Sequence, residues 1–217
     1  MRTAEDFACT RKVEVNRLVT DLLVNTEARS IMRVLSLTIF CLITQVAGAD
    51  ESLWIKLRSE PNLVVLMRHT HSAGGNPLTW DDTGNCRGEL VLSAKGKAHA
   101  RKIGEAFAQH SIKPGPVVSS PMCRCRETAQ GAFGNEFVTD PALSEIASAD
   151  SERTGVFEKT ALTLLSRHRG AAPIVFISHR PNIHLLTMEL IDDGDLLVAR
   201  LDDKGEIDVL GKIRIEP

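Results

Sequence analysis

The chain lacks an excess of either charge: 26 Lys and Arg stand against 28 Asp and Glu, a formal net charge of −2. It therefore has no global field to draw in nucleic acid or an anionic membrane surface. It also lacks low-complexity tracts and internal repeats. No apolar run reaches the ~20 residues that a membrane-spanning helix needs; Val34 to Val46 (VLSLTIFCLITQV) covers 13. What remains is a 217-residue chain, 43% apolar, with material for a sizeable core and a length that suits one domain or one domain plus a tail.

The short apolar run has a meaning of its own. Met32-Arg33 opens it with a basic start, and Ala47-Gly48-Ala49 closes it with small residues before Asp50-Glu51. This is the n-region, h-region and cleavage pattern of a secretory signal. Phe40 before Cys41 argues against a lipoprotein signal. The expected division is a signal at 32–49 and a mature domain at 50–217, exported to the periplasm with no stable membrane insertion after cleavage. Residues 1–31 carry Glu5, Asp6, Glu14, Asp21 and Glu27, unlike an n-region. The expectation is an over-extended start ahead of Met32; the alternative is an amphipathic leader built on Val13, Leu18, Leu22 and Leu23.

Cysteine is sparse in the mature segment: Cys86, Cys123 and Cys125. In an oxidising compartment three thiols suggest one disulfide and one leftover. Cys123 and Cys125 are too close to close an easy loop, so the expected bridge joins Cys86 to one of them; three unpaired buried thiols are the alternative. A zinc site lacks its fourth ligand at suitable spacing.

Along the mature segment, Leu63 to Met67 reads as a short buried strand ending on Arg68-His69. Thr70 to Glu89 is a long polar loop of the kind that is usually functional or disordered. Ser93 caps a helix with Ala98, Ile103, Ala106 and Phe107 on one face. Val117 to Ser120 is a second strand, followed by a helix with Pro121 near its first turn. Phe137-Val138 is a possible short strand, Glu152 to Arg169 a helix, and Ala172 to Ser178 a third buried strand. A helix follows with Pro181 near its start, then two alternating stretches around Asp203-Lys204-Gly205 that signal a hairpin. Alternating strands and helices point to an α/β fold: three layers, helices on both faces of a mostly parallel sheet, plus a C-terminal antiparallel hairpin.

Ligands of such sheets bind outside the carboxyl ends of the strands. Those ends carry Arg68-His69, Ser119-Ser120 running into Arg124, and Ser178-His179. Helices starting after the second and third strands add N–H groups and positive dipole ends, which favour an anion. Arginine forks match phosphate oxygens bidentately. Two arginines and two histidines on one rim therefore read as a phosphate site. His99, His110 and His168 read as bland residues of exposed helices or their ends, whereas His71 and His184 lie near site residues and are intermediate.

The segments "LMRHT", "LSAKGKAHA", "SSPMCRCRETA" and "FISHRPNI", in this order and spacing, resemble the histidine phosphatase superfamily, with its phosphoglycerate-mutase-like fold. The likeness is to the smaller branch and, within it, to small exported bacterial phosphatases. It runs from Asn62 to Ile215. It implies His69 as the nucleophile that becomes phosphohistidine, Arg68 and Arg124 as phosphate grips, and His179 as the second histidine binding the phosphoryl group. It also implies no metal and no cofactor. Arg126, roughly 200° further round a helix, should point elsewhere.

Two positions depart from the family's pattern. Thr70 stands where a small residue, often Gly, follows Arg-His, and the general acid is not marked. Glu145 in "DPALSEI" is the first candidate, Asp150 the second, and Asp81 and Asp82 are outside candidates. The reading is a metal-independent phosphomonoester hydrolase acting on a small phosphorylated substrate. Thr70, His71, Asn76, Trp80 and Arg87 are the possible substrate loop. A phosphomutase with the same machinery and a non-catalytic phosphate- or phosphosugar-binding protein are the rivals.

Overall fold

The computed structural model describes residues 50–146, 151–167, 170–202 and 205–217. The expected signal and leader, Asp150, His168 and the Asp203-Lys204 tip of the hairpin lie outside them. Six strands form the main sheet in the order β5-β4-β6-β1-β7-β8. They are β1 (Leu63–Arg68), β4 (Val117–Ser119), β5 (Val138–Thr139), β6 (Ile174–Ser178), β7 (Leu196–Leu201) and β8 (Ile207–Ile213). The pairs β5·β4, β4·β6 and β6·β1 are parallel, while β7 runs antiparallel to both β1 and β8. The expected α/β architecture, mostly parallel with an antiparallel C-terminal pair, is the observed one.

Strand β1 is the centre of the sheet because it is apolar on both faces, as a doubly covered parallel strand must be. Val65 and Met67 join one core with Val175, Ile177, Ile103, Phe107 and Ala129; Val64 and Leu66 join the other with Phe176, Phe157, Leu165 and Ile183. Each such buried side chain contributes roughly 1.5–3 kcal/mol relative to exposure. The first core lies under α2 (Ala94–Gln109) and α3 (Cys123–Phe133), the second under α4 (Ser151–Arg167) and α5 (Arg180–Thr187). Three layers result.

One element was not legible in the sequence pattern. Residues 50–59 form a helix, α1, that buries Leu53, Trp54 and Leu57 in the first core. Trp54 meets Phe107 edge-on at 5.4 Å and stacks on His110 at 4.4 Å. His110 is thus packed, and His99 is not on an exposed face at all. Its ring is buried, with Nε2 2.6 Å from the Ile215 carbonyl oxygen. The face of α2 is wider than its apolar periodicity shows, because the C-terminal segment covers it.

The long loop is ordered by its own bonds. Strands β2 (Ser72–Ala73) and β3 (Val91–Leu92) pair antiparallel at its base. Cys86 is disulfide-bonded to Cys123, and Cys125 is a free, buried thiol. Closing a loop across a separation of 37 residues contributes about 4 kcal/mol in the chain-entropy account.

Candidate active site

Strand register brings the three strand ends together. Arg68 lies beside Ser178 and Ser119 beside Ile177. The backbone continues this alignment past the strands: His69 N–H donates to the Ser178 carbonyl (3.1 Å), and Ser120 N–H to that of Ile177 (2.9 Å). The rings of His69 and His179 consequently stand 5.5 Å apart at 63°. Their side chains are sunk into the sheet end, with the two residues 5% and 0% exposed.

His69 Nδ1 is 2.9 Å from the Thr70 carbonyl oxygen. A carbonyl only accepts, so Nδ1 carries the proton and Nε2 holds a free lone pair. Burial is the main cause that pushes the His69 pKa down to about 3; Arg124 and Arg68 add to it, and the Thr70 contact opposes it. The ring is therefore neutral across the working range. His179 is likewise held well below the usual range, first by burial and then by Arg124 and His69. Its Nε2 lies 2.8 Å from Ser120 Oγ. The Cys125 sulfur is 3.6 Å from the same nitrogen, and burial pushes that thiol up to about 12, so it is a neutral neighbour rather than a thiolate.

The arginines supply the charge. Arg124, 1% exposed, stands in the first turn of α3. Its Nη2 donates to Glu145 Oε2 (2.5 Å) and the Pro77 carbonyl (3.1 Å), while its buried Nη1 has no hydrogen-bond partner among the described residues. Arg68 is ion-paired to Asp193 (3.0 Å), yet among the described residues its buried Nε has no hydrogen-bond partner either. An unpaired guanidinium N–H is costly to bury. Two of them beside two neutral imidazoles mark a place suited to an oxyanion.

Glu145 reaches this group from the 3₁₀ turn Pro141–Leu143 and the segment after it. Burial raises its pKa, against the pull of Arg124. Asn182, fully buried on α5, donates to the carbonyls of Ser144 (3.0 Å) and Leu143 (3.5 Å) and accepts from Ile146 N–H (3.1 Å). It thus fixes the backbone on both sides of Glu145. Ser120 enters the sequence reading only as part of a strand end, and neither it nor Asn182 is given a role there. Both lie inside the quoted segments, but only the fold shows what they hold.

Several expected substrate-loop residues are held by bonds within the fold. Thr70 is fully buried: its hydroxyl donates to the Gly96 carbonyl (3.0 Å) and its N–H to Thr128 Oγ1 (3.1 Å). It locks the end of β1 to α2 and α3. His71 Nδ1 is 2.8 Å from Ser93 Oγ, the cap of α2. Asp81 is bound into a turn with Thr83 and Arg87 N–H, and Asp82 is exposed beside it. Asn76, Trp80 and Arg87 do lie exposed on the loop. Arg126 turns away from the rim and donates to the Gly84 carbonyl.

At the start of α3 one of the expected N–H groups is already taken. Cys123 N–H donates to Glu89 Oε2 at 2.7 Å, so a carboxylate of the chain already sits there. Among the described residues there is no group of three or more His, Cys, Asp or Glu that could hold a metal ion.

Residues 64–161 match the model of the histidine phosphatase superfamily (branch 1). The fold is similar to that of the protein histidine phosphatase SixA solved with tungstate: TM-score 0.50, 16% identity, covering 70% of this chain and 96% of that one. A putative phosphohistidine phosphatase SixA from Agrobacterium tumefaciens gives TM-score 0.50 at 18% identity, with 71% and 99% covered. Phosphoserine phosphatase from Entamoeba histolytica, in complex with 3-phosphoglyceric acid, gives 0.51 at 14%, with 71% and 98% covered. No curated protein matches the chain by sequence.

Proposed function

We propose that the chain, whose residues 64–161 match the histidine phosphatase superfamily (branch 1), is a phosphatase of that superfamily that hydrolyses small phosphomonoesters through a phosphohistidine on His69, without a metal. The observation that carries this reading is the Nδ1 contact of His69 with the Thr70 carbonyl, which leaves Nε2 as a neutral nucleophile beside two unpartnered guanidinium N–H groups. In the first step the Nε2 lone pair attacks phosphorus. The bond to the leaving oxygen breaks, and that oxygen takes a proton from Glu145. In the second, water attacks the phosphohistidine, Glu145 takes its proton back, and the N–P bond breaks to release phosphate. Splitting one displacement into two is the benefit of the covalent route. Arg68, Arg124 and His179 hold the equatorial oxygens, since positioning and charge stabilisation dominate phosphoryl transfer.

Purified protein is expected to release inorganic phosphate from generic monoesters such as p-nitrophenyl phosphate. Phosphoryl return to substrate without net release would favour a mutase, and vanadate binding without turnover a phosphate-binding protein. We also place the enzyme in the periplasm, on the signal pattern at 32–49. N-terminal sequencing of exported protein should then begin at Asp50, and a cytoplasmic product starting at Met1 would overturn that location.

A further inference from the structure

Glu89 has no place in the chemistry above, yet it is a carboxylate only 3% exposed and no cation pairs with it among the described residues. Burying an unpaired charge is expensive unless hydrogen bonds satisfy it. Here both oxygens are satisfied by backbone. Oε2 accepts from Cys123 N–H at 2.7 Å, and Oε1 from Asp81 N–H at 2.8 Å. The first is the opening residue of α3, where the positive end of the helix dipole favours an anion. The second lies in the long loop.

The same loop reaches Arg124 from the other side. Asn76 N–H donates to the Gly88 carbonyl (2.9 Å), and Asn76 bridges to Glu89. Gly75, at φ +59°, passes so close that a Cβ there would sit 2.1 Å from the Glu89 carbonyl oxygen. The next residue after Asn76 is Pro77, whose carbonyl accepts from Arg124 Nη2. The bonds therefore close a ring: α3, Glu89, the loop at Asn76-Pro77, and Arg124 back on α3. One carboxylate fixes both the start of the helix that carries Arg124 and the loop carbonyl that orients its guanidinium.

We propose that Glu89 is a positioning residue that sets Arg124 for the phosphoryl group. The proposal rests on the phosphatase reading for its consequence on turnover, but not for its consequence on oxyanion binding. With Nη2 held by Pro77 and Glu145, Nη1 is left for the ligand; without Glu89 the loop and the first turn of α3 lose their common anchor while the Cys86–Cys123 bridge still keeps them near.

The test uses the full chain with Glu89→Gln and Glu89→Ala, reading vanadate affinity, kcat/KM on p-nitrophenyl phosphate and the thermal midpoint. The isosteric amide keeps one good acceptor for two N–H groups, so Gln should lose part of what Ala loses. Expected are losses of roughly 10- to 100-fold in both affinity and kcat/KM for Glu89→Ala, the range a small misplacement of a reacting group produces. The decisive measurement is the cycle with Arg124→Lys, which keeps a charge but not the fork. If Glu89 acts through Arg124, Glu89→Gln should weaken vanadate binding less than twofold in that background. An equal fold-loss in both backgrounds, or wild-type affinity in a folded Glu89→Gln protein, overturns the proposal. A wild type that binds vanadate but never turns over sinks the hydrolase reading alone, and one that binds no vanadate sinks both.

Discussion

Replacing His69 by Ala should lower phosphate release by roughly 10⁴- to 10⁶-fold, the scale on which loss of a nucleophile acts in enzymes whose members work as a unit. The substitution removes the Nε2 lone pair but leaves Arg68, Arg124 and His179 in place, because none of the bonds that orient them runs through the His69 ring. Vanadate should therefore still bind, within about tenfold of wild type if ground-state contacts come mainly from the arginine forks. A rapid quench of the wild type should trap phosphate that is acid-labile and alkali-stable, and the variant should show none. The backbone is not at risk: the bonds at the end of β1 come from His69 N–H and from Thr70, not from the imidazole. Near-normal turnover by His69→Ala would end the phosphohistidine mechanism.

The rim of this site was legible because it depends on strand ends, which apolar runs mark sharply. Leu63 to Met67 could only be a short buried element, and the charged residues that terminate it had to emerge at an edge. The same logic located Ser178-His179 and the helix carrying Arg124. What the sequence could not show were contacts made across the fold by residues that look ordinary in line. Thr70 looked like a loop residue; 58 positions separate it from Thr128, whose hydroxyl takes its N–H. Glu89 sat at the end of a polar loop among other acids, and only the fold carries it to the first turn of α3, 34 residues on. Helix α1 was hidden for another reason. Its apolar set is short and follows directly on the signal-like segment, so its periodicity competes with a stronger pattern.

The proposed acid, Glu145, sits where opposing influences meet. A carboxylate that must hold a proton near neutrality needs burial, and one that must sit beside a phosphoryl group needs a cation to keep it in place. Glu145 has both, which is why its environment pulls its pKa in opposite directions. Burial is the larger influence and the pKa is raised. An incoming phosphoryl group would then share Arg124 with Glu145, weakening the larger of the two arginine influences that favour the ionised carboxyl.

Glu145→Gln is accordingly expected to slow turnover of alkyl phosphates by roughly 10²- to 10⁴-fold, the range for a positioned acid or base. The amide can keep a contact with Arg124 but has no proton to give. An alkoxide leaves poorly without one, whereas p-nitrophenolate leaves unaided. The first step with p-nitrophenyl phosphate should therefore be nearly unaffected, and the second, which needs a base for water, should stall. Phosphohistidine would accumulate in quenched samples of the variant on that substrate. The pH profile gives the sign independently. His69 stays neutral at any pH above about 3, so no acid limb from the nucleophile should appear in the ordinary range. Activity should instead fall as pH rises through the raised pKa of Glu145, because the acid form is lost, and this alkaline limb should vanish in Glu145→Gln. If both leaving groups lost activity equally, with no accumulated intermediate and an unchanged alkaline limb, the proton would have to come from another group.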